Sequence, residues 1–298
     1  MLLMFLGLLL CACGSNQSGP AGTAGTTPAT TPATENGVAT EIRSDPESEA
    51  ETQPETIAEA RAIPGEKTVR NLLLTALEPV GSTMYVWGGG WNESDDGAGI
   101  EAVTIGVSPA WRAFYLKQDA AYDFDQTRYQ IHDGLDCSGY VGWVVYNVMN
   151  TESGGKGYVT SSTSMADMLA GCGFGSSQPY GTVTDIQPGD IMSMKGHVWI
   201  AVGACPDGSC VLLHSSPAGV SLCGTKTPDG ADESEAIRLA ERYMAQEYPD
   251  WYSKFPNCKR DASYFTASRF RWNRQTLADP DGILAMNAEA VLKNLFSS

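Results

Sequence analysis

At 298 residues and 42% hydrophobic content, the chain can bury one domain of ordinary size with segments to spare. Its formal charge of -16 excludes the basic footprint of a nucleic-acid binder, and both parts are acidic: residues 14–66 hold nine acids and two bases, the rest 26 acids and 17 bases. Residues 1–12 are almost wholly apolar and break at Cys13-Gly14-Ser15-Asn16. Twelve residues are too few to span a bilayer as a helix, so the run reads as a secretory signal.

Leu10-Cys11-Ala12-Cys13 resembles a bacterial lipobox, which implies signal cleavage, a lipid on Cys13 and membrane anchorage in the bacterial envelope. No Lys or Arg precedes the apolar run; the first basic residue is Arg43. Residues 14–66 are rich in Thr, Pro, Ala, Gly and Glu with almost no large apolar side chain, the composition of a disordered tether. At about 3.1 Å per residue it would reach on the order of 150 Å. Residues 67–298 are then the folded domain.

Val69, Leu72, Leu73 and Leu77 fall at helical spacing, predicting a helix over 68–78 that Pro79 stops. Tyr85-Val86-Trp87-Gly88-Gly89-Gly90 follows. The polar stretch 91–134 reads as an insertion, with Ser108-Pro109 opening a helix over 110–118. Its aromatics, Trp111, Phe114, Tyr115, Tyr122, Phe124 and Tyr129, need cover, and its ends adjoin Tyr85 and Cys137, so it is expected to lie over the cleft between them. Val141, Val144, Val145 and Val148 mark a helix with one buried face, capped by Asp136, with Cys137 in its first turn. A short helix over 164–170, strands over 191–194, 197–203 and 210–215, a helix over 235–246 and a strand over 264–272 follow. Pro206-Asp207-Gly208 supplies a hairpin turn.

A cysteine at a helix N-terminus has its thiolate stabilised by the helix dipole, and further by a nearby imidazolium. Only Cys137 among the eight cysteines has this setting. Of the three histidines, His132, His197 and His214, the last two sit at matching ends of one predicted hairpin, where His214 could orient the ring of His197. Setting aside Cys11, Cys13 and Cys137 leaves five cysteines, an odd number, so at least one more is unpaired. Glu93, Asp95, Asp96 and Glu101 lack the alternation of a calcium loop, and no zinc-ligand spacing is present.

Leu135-Asp136-Cys137-Ser138-Gly139-Tyr140, Pro188-Gly189-Asp190-Ile191, His197-Val198-Trp199-Ile200-Ala201-Val202-Gly203 and His214-Ser215-Ser216-Pro217 with Gly219-Val220 resemble, in order and spacing, the NlpC-type peptidoglycan endopeptidases, over about residues 80–225. The resemblance implies an α+β, papain-like fold in which the nucleophile's helix packs on an antiparallel sheet. It implies Cys137 as nucleophile, His197 as base and acid, and His214 as the orienting group. Tyr85 matches the tyrosine that helps form the oxyanion site, although 52 positions separate it from Cys137 where the family has few. The expected activity is thiol-peptidase cleavage of stem peptides at the D-glutamyl to diamino-acid bond, by a monomer without cofactor or metal. The alternatives are an amidase cutting between sugar and peptide, and an inactive wall-binding protein of the same fold.

Overall fold

The computed structural model describes residues 61–127 and 132–297. The expected signal, Cys13 and the expected tether before residue 61 lie outside the described residues. Among the described residues no helix is long and apolar enough to cross a membrane.

Order begins earlier than composition suggests. Asn71 accepts the N–H of Ile63 (2.7 Å) and donates to the carbonyls of Ile63 (2.8 Å) and Glu66 (2.7 Å), and Gly65 N–H donates to Asn147 O (2.8 Å). The last residues assigned to the tether therefore belong to the folded domain. One buried amide gathers them, a bond set that hydropathy does not reveal.

In chain order the domain comprises α1 (Val69–Leu77), β1 (Met84–Tyr85), α2 (Pro109–Tyr115), β2 (Gly134–Leu135), α3 (Cys137–Met149), α4 (Met165–Gly171), β3 (Gly175–Thr182), β4 (Ile191–Met194), β5 (His197–Ala204), β6 (Cys210–Ser216) and β7 (Gly219–Thr225). Then come α5 (Glu235–Glu247), α6 (Pro249–Lys254), β8 (Lys259–Arg260), β9 (Thr266–Trp272) and α7 (Ala288–Phe296). The fold is α+β. Its sheet runs β2-β1-β7-β6-β5-β4-β9-β3, with β8 alongside β7, and is antiparallel except at the pairs β1–β2 and β7–β8.

Local chemistry explains the helix starts. Thr68 and Ser108 accept from the N–H groups of Asn71 and Ala110, and Pro109 occupies a first-turn position where its missing donor costs nothing. α3 is wholly apolar at its centre because it is the central buried helix: Tyr140, Val141, Trp143, Val144 and Val145 are all fully buried. Tyr243, Trp251 and Phe270 are buried too, as part of the core.

The missed strands have weak local signals, whereas α7, capped by Asn287 with Val291, Leu292 and Leu295 buried on one face, was missed despite a clear one. β3 is polar and half exposed, β7 contains two glycines, and β8 is two residues long. The β5–β6 hairpin carries a register shift between Ala201 and Gly203, and the tight turn forms through Gly208 N–H to Cys205 O (3.0 Å).

Pro188-Gly189-Asp190 is anchored from the far end of the chain. Asp190, almost fully buried, receives both arms of Arg271 on β9 (Nε to Oδ1 2.9 Å, Nη2 to Oδ2 2.7 Å) and caps the turn through Gln187 N–H (2.9 Å). Removing the guanidinium leaves a buried carboxylate unpaired. Arg271→Leu is therefore expected to lower the unfolding free energy by about 3 kcal/mol in a denaturant titration. A loss within measurement error would show that the pair is not what holds β4 to β9.

Candidate active site

The 52 positions between Tyr85 and Cys137 close to almost nothing in space. β1 and β2 pair in parallel, Met84 with Gly134 and Tyr85 with Leu135, so Tyr85 lies beside the strand that runs directly into Asp136 and Cys137. The glycines after Tyr85 make this approach possible. Gly89 O accepts from Asp136 N–H (2.9 Å), and a Cβ on Gly139 would lie 2.0 Å from Gly89 O and 2.9 Å from the Cα of Gly90. Gly90 itself has φ of 90°. Backbone thus packs on backbone over the first turn of α3, where no side chain fits.

Asp136 caps α3: its Oδ1 accepts from Gly139 N–H (2.7 Å) and from the Ser138 hydroxyl (2.9 Å), whose Oγ accepts from Trp91 Nε1 (3.0 Å). Cys137 follows, buried, next to the backbone N–H groups of Val198 and Ser138, which act to hold its thiol down. Val198 adjoins His197, so the thiol meets the start of β5. His197 Nε2 bonds to His214 Nδ1 (2.8 Å), which leaves Nδ1 as the free nitrogen of the His197 ring. The structure therefore brings Cys137, His197 and His214 to one place. Tyr85 reaches it by backbone, while its ring meets Phe124 edge-on (5.4 Å).

Two residues missed in the sequence complete the cluster. Tyr264 lies with its ring 5.5 Å from His197, 6.1 Å from His214 and 6.1 Å from Trp199. Arg260 Nε donates to His214 Nε2 (3.1 Å). Neither belongs to a recognisable motif. β8 carries Arg260 to β7 by pairing Thr225 with Arg260, a contact across 35 positions.

The protonation state differs from the expected thiolate–imidazolium pair. Burial, reinforced by the neighbouring Asp136 carboxylate, pushes the Cys137 thiol up to about 12, which outweighs the N–H groups beside it. Burial holds His197 well below the ordinary histidine range, with His214 and Arg260 acting the same way. At neutral pH both groups are uncharged.

The hydrogen-bond order explains Arg260's part. A guanidinium only donates, so His214 Nε2 must accept and His214 carries its proton on Nδ1. That proton goes to His197 Nε2, which places the His197 proton on Nδ1. A base-competent His197 would put a proton on His214 Nε2, facing the Arg260 donor. Arg260 in this position opposes that tautomer.

The insertion divides. Trp111 packs edge-on against Trp143 of α3 (5.7 Å) and Tyr115 against Trp251 (5.1 Å), away from the cluster. Tyr122 donates to Tyr85 O (2.6 Å), and Phe124 stacks on half-exposed Trp87 (6.3 Å). Among the described residues both ends of the insertion adjoin the site, through Trp91 at Ser138 and through Tyr122 and Phe124 beside Tyr85, while its middle packs on α3 and α6. His132 pairs with Glu101 (3.4 Å) within the insertion. Ligand atoms of Cys205, Asp207 and Glu235 lie within 4.8 Å of one another, but Asp207 is committed to capping α5 through Glu235 N–H (2.7 Å).

Replacing Arg260 tests this proton order. In Arg260→Leu, His214 is free to carry a proton on Nε2 and His197 to hold a charge, so Cys137 ionises at lower pH. Iodoacetamide labelling of Cys137, identified by its loss in Cys137→Ser, should quicken about tenfold at pH 7, because a thiol pKa lower by about one gives roughly ten times as much thiolate. An unchanged or slower rate would refute the assignment.

No family model, curated protein or solved structure matches this chain.

Proposed function

We propose that the protein is a cysteine peptidase of papain-like architecture that hydrolyses amide bonds in peptidoglycan stem peptides, at the D-glutamyl to diamino-acid bond. The observation that carries this reading is the placement of Cys137 in the first turn of α3, capped by Asp136 and beside Val198 at the start of β5, with His197 on that strand bonded through Nε2 at 2.8 Å to His214. That is the order nucleophile, base, orienting group required for acyl transfer. The four sequence motifs that resemble the NlpC-type enzymes supply the substrate class. The acidic chain suits cationic or amide-rich wall material no worse than neutral peptides, so charge does not set the substrate.

In this mechanism Cys137 Sγ attacks the scissile carbonyl as its proton passes to His197 Nδ1, and the oxyanion forms beside the Cys137 N–H. His197 gives the proton to the departing amine, leaving a thioester. Water, deprotonated by His197, then hydrolyses the thioester, and the proton returns to sulfur. Because the thiol starts neutral, proton transfer accompanies attack instead of preceding it. The step requires Arg260 to release His214 Nε2 when substrate is bound.

A second reading, an inactive wall-binding protein, draws on one observation: the resting site is uncharged and Arg260 opposes the base-competent ring. Digestion of purified peptidoglycan followed by mass spectrometry separates the readings, including the amidase that would free whole stem peptides. The endopeptidase releases fragments cut within the stem. Cys137→Ala and His197→Ala should each reduce release by about a thousandfold or more while remaining folded. His214→Ala should retain more activity, since water can replace part of an orienting group. Full activity in Cys137→Ala would end the proposal, and absence of fragments from the wild type would favour the binding protein.

A further inference from the structure

Cys223 and Cys258 play no part in the mechanism above, yet they are buried together beside it. β7 and β8 run parallel with Gly224 opposite Lys259 and Thr225 opposite Arg260, and Gly224 N–H donates to Cys258 O (2.9 Å). One step back along this register Cys223 stands beside Cys258. Parallel neighbours point to the same face at a Cα separation of roughly 5 Å, inside the range a disulfide spans. Both side chains are buried, with almost no exposed surface. On the same face, Cys223 alternates with Ser221, which lies opposite His214, so the pair sits against the His214–Arg260 contact.

We propose that Cys223 and Cys258 close a disulfide that fastens the strand bearing Arg260 to the central sheet. β8 is two residues long and follows a 33-residue excursion through α5 and α6, so few backbone bonds hold it. A covalent link would hold the backbone of Arg260 beside His214 while leaving its side chain free to release Nε2. Both stand as free thiols; burial raises the Cys223 thiol, but Cys258, Arg260 and His214 together draw it well below its ordinary range, whereas Cys258 is pushed up. This makes Cys223 the attacking sulfur.

Closure is a two-electron oxidation by a disulfide donor. The Cys223 thiolate attacks one sulfur of the donor, expelling one thiolate and forming a mixed disulfide. Cys258, after losing its proton, attacks the Cys223 sulfur and expels the second. The products are the internal bond and two reduced donor thiols. With both sulfurs buried in the finished fold, the exchange belongs to folding or to local opening of β8.

The test refolds the full reduced chain in a glutathione–glutathione disulfide buffer, alkylates it with iodoacetamide and maps unreduced peptides by mass spectrometry. The expected result is a linked peptide joining Cys223 to Cys258, with Cys137 alkylated. A melting temperature roughly 10 °C higher than in the Cys223→Ala/Cys258→Ala variant should disappear on adding reductant. Alkylation of both Cys223 and Cys258 when the refolded protein is treated with iodoacetamide in denaturant, or their linkage to glutathione or to another cysteine such as Cys205 or Cys210, would overturn the proposal. The linkage map needs no hydrolytic activity, so its outcome is separate from that of the peptidoglycan digest.

Discussion

The candidate site depends on a contact with no side chains in it. Gly89 and Gly90 lie on Gly139 so closely that a single methyl at Gly139 would meet a carbonyl oxygen at 2.0 Å. This approach lets Gly89 O receive the Asp136 N–H and lets β1 run beside β2. Through it the Tyr85 segment, the cap of α3 and the thiol of Cys137 share one rigid frame. Without it the insertion would separate the halves of the site, since a loop of more than forty residues fixes neither distance nor orientation. Glycine is needed here for close approach, not for flexibility.

Burial then decides the chemistry. The same packing that places α3 at the centre of the domain removes water from Cys137 and His197, and desolvation disfavours both charged forms. A helix N-terminus supplies roughly half an elementary positive charge. That is too little here against a buried sulfur with a carboxylate beside it. The result is a neutral resting pair whose proton positions are set from outside by Arg260. A cation commonly stabilises a thiolate, but only if it faces the sulfur. Here it faces the far nitrogen of the second histidine, and its effect on Cys137 is reversed.

The distribution of long-range contacts is consistent across the domain. Arg271 reaches Asp190 over 81 positions, and Arg260 reaches His214 over 46. Both cations come from the C-terminal segment and both fix turns or rings established earlier in the chain. The segment after residue 225 therefore shapes the site and is not an appendage to it.

α1, α3, α5 and the β5–β6 hairpin were legible in the sequence and follow their apolar patterns to within a few residues, although α3 is buried all round and not on one face, and α7 was not predicted. Asp136 as a cap, Cys137 in the first turn, and His197 and His214 within mutual reach were legible too, since capping and cross-strand pairing are local rules. Tertiary structure alone decided the rest. That Tyr85 lies beside Leu135, that polar β3 joins the sheet through β9, and that Arg260 and Tyr264 enter the cluster are consequences of strand pairing over long separations. A two-residue strand such as β8 has no periodicity to read. The charge state of Cys137 was likewise beyond the sequence, because desolvation is a property of everything packed around the sulfur, whereas the helix dipole that suggested the opposite is a property of its own helix.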